Sequence, residues 1–268
     1  MIWKTPVKMD MPKGAILHVG CIKRECGCNG PVYGDGTFRY VPIPEREEAT
    51  EMSWTYTELE LVDVLCQPWN HGIYAHYDPQ FRDQRGDHEF TYGEPDTPKH
   101  SKRLQIARQL KKGEFLFFIS SLEYKLTEVE RQPDINSEWS YYVVGFFELA
   151  ENPVIVPNPI PTHIRDQFSS NAHVLRNETD PVLLFKGERI GKKSSRQLAR
   201  AKVISNKSIP NELAIRAMPW LRPRRNIAAE GWNYRWWGED FVSEDGVGLL
   251  LERVRVDLSI DSSTTPEF

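Results

Sequence analysis

The chain has 268 residues, 40 % hydrophobic and 27 % charged, with a formal net charge of −4, and so can bury a full globular core. No apolar run approaches the roughly 20 residues that span a bilayer, and four Cys are too few for a disulfide scaffold. Met1-Ile2-Trp3-Lys4-Thr5-Pro6 has no signal-peptide core, so a cytoplasmic protein without a membrane partner is expected.

The small net charge hides a separation. Residues 45–96 hold thirteen acids against three Arg, whereas residues 186–225 hold twelve Lys or Arg against two Glu. A basic run of this kind is the footprint of a phosphate-bearing partner. Trp220, Trp232, Tyr234, Trp236 and Trp237 follow it, as aromatics that stack on bases would. The same pattern also fits acidic and basic faces that pair with each other, and aromatics that fill a core.

Taken in order, residues 1–13 read as a tail, and Ala15–Val19 as a short strand entering a loop rich in Gly and Cys. Asp35-Gly36 signals a hairpin of type I′, and Thr37–Val41 alternates as a half-buried strand that Pro42-Ile43-Pro44 ends. Trp54–Leu65 is ambiguous between helix and strand. Residues His71–Pro98 read as a long ordered loop. Ser101–Lys112 is the clearest helix, with Leu104, Ile106, Ala107 and Leu110 inward and Gly113 as its stop.

Phe115–Ser120, Tyr141–Glu148 and Val182–Phe185 read as strands. Pro153–Pro161 offers the only candidate linker. Ser194 or Ser195 is expected to cap a helix carrying Leu198, Ala199 and Ala201, and Val247–Leu258 to hold another strand. Residues 259–268 read as a second tail. The expected fold class is α+β: a mixed, largely antiparallel sheet with a few packed helices, in a single domain over residues 14–258.

Two motifs are set aside. Gly187-Glu-Arg-Ile-Gly191-Lys192-Lys193-Ser194 falls short of a P-loop by one residue between its glycines and carries two lysines where that motif has one. What remains is an expected phosphate site at a helix start, built from Lys186, Lys192, Lys193, Arg196 and Arg200. Cys21, Cys26 and Cys28 fit zinc-ligand spacing poorly, so free buried thiols are the expectation.

Several blocks together resemble one family, the third nucleotide modification associated domain. They are Gly30-Pro-Val-Tyr-Gly-Asp-Gly-Thr-Phe-Arg-Tyr-Val-Pro-Ile-Pro-Glu45, His76-Tyr-Asp-Pro-Gln-Phe81, Thr91-Tyr-Gly-Glu94, Lys112–Phe118, Tyr142–Phe147, Asn171-Ala-His-Val-Leu-Arg176, and Lys186-Gly187 with Ser195-Arg-Gln-Leu198. They span residues 15 to 205. That family is regarded as one of DNA base hypermodification proteins. The resemblance thus implies a nucleic-acid or nucleotide partner, DNA favoured, and leans towards an enzyme, without supplying a catalytic mechanism. Phe115–Phe118 with Tyr142–Glu148 also resembles the PUA-like and EVE domains, which read modified bases without catalysis. A nuclease or effector acting on modified DNA is the third reading.

The chemistry centres on His76-x-Asp78, whose side chains share one side of an extended segment. With His173 they form a two-His, one-carboxylate ligand set for a divalent metal, the pattern of non-haem iron oxygenases. Lys186 would then bind a carboxylate co-substrate. The alternative is that Asp78-Pro79 only starts a turn. Asp35, Asp78 and Glu94, one in each of three matched blocks, are the candidate acid–base groups if those loops converge. For Asp35 alone a turn role is the stronger reading.

Overall fold

The computed structural model describes residues 14–21, 29–45, 54–65, 74–81, 90–97, 104, 107–125, 139–176, 179–189, 195–206, 209–210, 241–242, 247 and 251. The two tails and the Trp-rich segment lie outside these residues, as do Lys192 and Lys193.

Long runs of aromatic and β-branched residues make the backbone of the fold. The first strands are β1 (Gly14–His18), β2 (Gly30–Tyr33), β3 (Ile43–Pro44), β4 (Trp54–Thr55), β5 (Tyr74–His76) and β6 (Thr91–Pro95). Two long strands follow, β7 (Phe115–Lys125) and β8 (Trp139–Glu148), and then β9 (Val154–Val156). Two short helices, α1 (Thr162–Gln167) and α2 (Ala172–Leu175), precede β10 (Val182–Lys186), β11 (Arg196–Asn206), β12 (Ile209–Pro210) and β13 (Phe241–Val242).

The strands form a seven-stranded sheet in the order β12-β11-β8-β7-β1-β13, with β2 also beside β7. β1 runs parallel to the first half of β7 and β2 to the second half, so one edge of β7 is filled in two steps. Two three-stranded antiparallel sheets, β6-β10-β9 and β3-β5-β4, complete the set. The largest core lies on the main sheet, around Ile16, Phe117, Phe118, Phe146, Phe147 and Phe185, all at most 2 % exposed. A second core packs α1 and α2 against β9 and β10 through Phe168, Val174, Val182 and Leu184, and a third surrounds Tyr56.

This architecture is mainly β, which corrects the α+β expectation: the two α-helices of the described residues have six and four residues. The largest single error is β11, read from sequence as a helix. Its pairing with β8 slips between Gln197 and Lys202, so the buried Leu198 and Ala201 stand three residues apart. A bulge breaks the strand period of two in just this way and imitates a helical spacing. There is consequently no helix start at Ser195 to bind phosphate. At Ser101–Lys112 the described residues are helical at Leu104 and form a 3₁₀ turn at Ala107–Gln109. Of Val247–Leu258, Val247 and Leu251 are described, and both are helical rather than extended.

Smaller corrections follow the same logic. Within His71–Pro98 the long loop gives way to β5 and β6, and within Pro153–Pro161 the candidate linker carries β9. Trp54–Leu65 is neither regular helix nor long strand but β4, a turn, and a 3₁₀ turn at Val62–Val64. In the Asp35-Gly36 hairpin only Gly36 has positive φ, at 88°, so the turn is not type I′. Gly36 N–H donates to Tyr33 O and Tyr33 N–H to Thr37 O, the pattern of a three-residue loop closed by a glycine bulge. Cys21 is disulfide-bonded, against the expectation of free thiols. No helix among the described residues is long and apolar enough to cross a membrane.

Candidate metal centre

The two small sheets and α2 meet at one buried cluster of titratable side chains. His76 ends β5, and Asp78 follows two residues later with its N–H donating to His76 O at 2.9 Å. Asp78 is held from both sides: Tyr40 OH donates to its carbonyl at 2.7 Å, and Gly93 N–H on β6 donates to Oδ2 at 2.9 Å. His173 enters from α2, where Asn171 caps the helix by accepting from His173 N–H at 3.0 Å. Asn171 Nδ2 also donates to Thr91 Oγ1 on β6 at 3.2 Å, which fixes the helix start against that strand.

Gly93 makes the approach possible. A Cβ there would stand 2.9 Å from both Asn171 Oδ1 and His173 Cδ2, closer than side chains pack. Glycine in a strand interior weakens the strand, and here it lets the Asn171 amide and the His173 imidazole come close.

His76, Asp78 and His173 offer one ligand atom each within 4.8 Å of one another, and all three are buried. His76 Nε2 and His173 Nε2 lie 3.0 Å apart, and His173 Nε2 lies 3.5 Å from Asp78 Oδ2. Two nitrogens at about 2.1 Å from one ion are about 3.0 Å apart when they subtend a right angle, and about 3.4 Å at a tetrahedral angle. Asp78 Oδ1 is buried and meets no hydrogen-bond donor among the described residues. Such an orphaned acceptor calls for a partner, and a cation is one that a carboxylate and two imidazole nitrogens would share.

The electrostatics agree. Burial pushes the Asp78 carboxyl up to about 8, with His173 opposing and nearby Glu94 reinforcing the rise. Burial, and then the neighbouring His173, press His76 down to about 4. Glu45 sits beside them. Its Oε2 accepts from His76 Nδ1 at 3.1 Å and from Arg176 Nε at 2.8 Å, and Arg176 Nη2 donates to Oε1. Against its burial, hydrogen bonds from His76 and Arg176 hold Glu45 down to about 2.

Of the residues expected from sequence, His76, Asp78 and His173 are gathered here. Glu94 is buried on the next strand position after Gly93, where Tyr92 OH donates to its Oε1 at 2.6 Å. Asp35 is not in the cluster: it is exposed, closes its own turn through Thr37 N and Oγ1, and that hydroxyl bond lowers its carboxyl. Lys186 Nζ donates to Gln167 O at 3.2 Å and lies 5.6 Å over the Phe168 ring. Arg196 and Arg200 stand on β11, with Arg200 packed beside Gly36.

Glu45 and Arg176 were missed as functional residues. Each closes a block quoted above, at the end of Pro-Ile-Pro-Glu45 and of His173-Val-Leu-Arg176. Arg176 stands three residues after His173, but Glu45 is 31 residues from His76, so membership of the quoted blocks was the only signal the two shared.

Among known proteins, a family model described as nucleotide modification associated domain 3 matches residues 13–248. No curated protein and no solved structure matches the chain. The match extends over most of the sequence and includes every residue of the cluster, and the chain belongs to the nucleotide modification associated domain 3 family.

Proposed function

We propose that the chain modifies a nucleotide or a nucleic-acid base, with DNA as the favoured substrate, at a divalent metal centre held by His76 Nε2, Asp78 and His173 Nε2. The observation that supports it most is the convergence of two imidazole nitrogens and a carboxylate within 4.8 Å, with Asp78 Oδ1 left without a donor among the described residues. Two His and one carboxylate leave coordination positions open for a substrate or co-substrate. A bound ion supplies Lewis-acid polarisation or, as Fe(II), a site for oxygen chemistry.

The protein's own contribution is positioning and exclusion of water. Gly93 N–H and Tyr40 OH hold Asp78 in place, and the Asn171 cap points His173 inward. The burial that raises Asp78 also strengthens its attraction for a cation once the proton has left.

The test is nucleoside mass spectrometry on DNA and on free nucleotides incubated with the protein. Fe(II) with a 2-oxo acid and oxygen is tried first, then Mn(II) and Zn(II). The proposal expects a base of altered mass with the wild type and none with folded Asp78→Ala or His173→Ala. A wild type that alters no base with any of these metals while still binding DNA would overturn it in favour of a module that reads modified bases.

A further inference from the structure

Glu45 and Arg176 have no place in a set of three metal ligands, yet they are built into the cluster across 131 residues of chain. Glu45 follows β3, and its N–H donates to Tyr74 O at 2.8 Å, beside the strand that ends in His76. Its side chain is 4 % exposed and that of Arg176 is 16 % exposed. A buried carboxylate needs a cation and hydrogen bonds to be tolerated, and Arg176 supplies both through Nε and Nη2. One oxygen, Oε2, is shared between Arg176 Nε and His76 Nδ1.

An ionised carboxylate only accepts, so the proton of this bond sits on His76 Nδ1. The lone pair of a neutral His76 is then on Nε2, the atom that faces His173 Nε2 at 3.0 Å. Carboxylates that accept from the remote nitrogen of a ligating imidazole fix its tautomer, hold its ring plane and raise its basicity.

We infer that Glu45, itself clamped by Arg176, is a positioning residue that sets His76 in the Nδ1–H tautomer with Nε2 presented to the cation. The inference rests on the proposed metal centre. Glu45 acts through His76 and Arg176 through Glu45, so neither touches the ion or the substrate.

Co(II) is the probe, because its visible absorption reports the ligand field. Its affinity is measured by calorimetry for the wild type and for Glu45→Ala, Glu45→Asp and Arg176→Met. Proton NMR of the Co(II) form follows the exchangeable His76 Nδ1–H, and circular dichroism follows the fold. Glu45→Ala is expected to weaken Co(II) by about 10–100-fold, to shift the visible band and to lose the slowly exchanging Nδ1–H signal. Glu45→Asp is expected to recover part of both, and Arg176→Met to change the affinity in the same direction as Glu45→Ala.

Wild-type affinity, spectrum and Nδ1–H signal in Glu45→Ala would overturn the positioning role and leave the metal centre standing. A wild type that takes up no Co(II) would overturn both. Should Glu45→Ala fail to fold, the double variant Glu45→Leu/Arg176→Met decides, since it removes the acceptor of the Nδ1–H and the guanidinium together while keeping side-chain volume. Weaker binding, a shifted band and loss of the Nδ1–H signal support the role, and wild-type values of all three reject it.

Discussion

At the scale of single residues, the site turns on one proton. Asp78, pushed up to about 8 by burial, is largely protonated at pH 7 when no cation is present, while His76, pressed down to about 4, is neutral. A cation needs the carboxylate and must displace that proton. The logarithm of the apparent association constant for Mn(II) or Zn(II) is therefore expected to rise by about one per pH unit between pH 6 and 8, and to level off above. Calorimetry at several pH values, in buffers of different ionisation enthalpy, measures both the slope and the proton released. A flat profile from pH 6 to 8 would mean that Asp78 is not the titrating ligand.

The same residue scale shows what could be read from sequence. The His-x-Asp pair and His173 stood out because imidazoles and a carboxylate are chemically distinctive and sit in quotable blocks, and the fold brings the three side chains together. Glu45 and Arg176 were not, since a charged residue carries no mark of whether its partner is a neighbour, solvent or a side chain 131 positions away. Asp35 was legible in the opposite sense, as a turn residue, and its bonds to Thr37 are those of a turn.

At the scale of elements, β1, β7, β8 and β10 were legible because they are continuous apolar or aromatic runs buried along nearly their whole length. β11 was not, because its bulge puts Leu198 and Ala201 at a helical spacing. Strands of two or three residues such as β3, β4 and β5 carry too little pattern to be read, and two of them place the site. Packing between elements is visible at Gly145 of β8, where a Cβ would lie 2.2 Å from Phe81 Cε1 and 2.9 Å from Arg196 O. Phe81 packs edge-on against Phe118 and Phe147 and stands three residues beyond Asp78. Gly145→Ala is expected to cost at least about 1–3 kcal/mol of stability, since the ring and the β8–β11 pairing must both shift. Urea unfolding of the two proteins measures it, and equal midpoints would show that Phe81 does not pack as described.

At the scale of the whole molecule, the main sheet is a scaffold, while the cluster is assembled where the two small sheets and α2 meet. Its members come from four places in the chain: Glu45 after β3, His76 and Asp78 at the end of β5, Gly93 on β6, and His173 with Arg176 on and after α2. Sequence can name such residues, but bringing them within a few ångströms depends on strand pairings of high sequence separation. A site made this way is coupled to folding, so a cation that binds only the folded chain also stabilises it, by about 2.7 kcal/mol at a hundred times its dissociation constant.

Metal stoichiometry tests the central claim most directly. The wild type and folded His76→Ala, Asp78→Ala and His173→Ala proteins are stripped, reloaded with Fe(II) under anaerobic conditions, desalted and assayed for bound metal. One ion per wild-type chain, with each variant substantially empty, is the expected result. Equal metal in the wild type and all three variants, or none in the wild type, would contradict it.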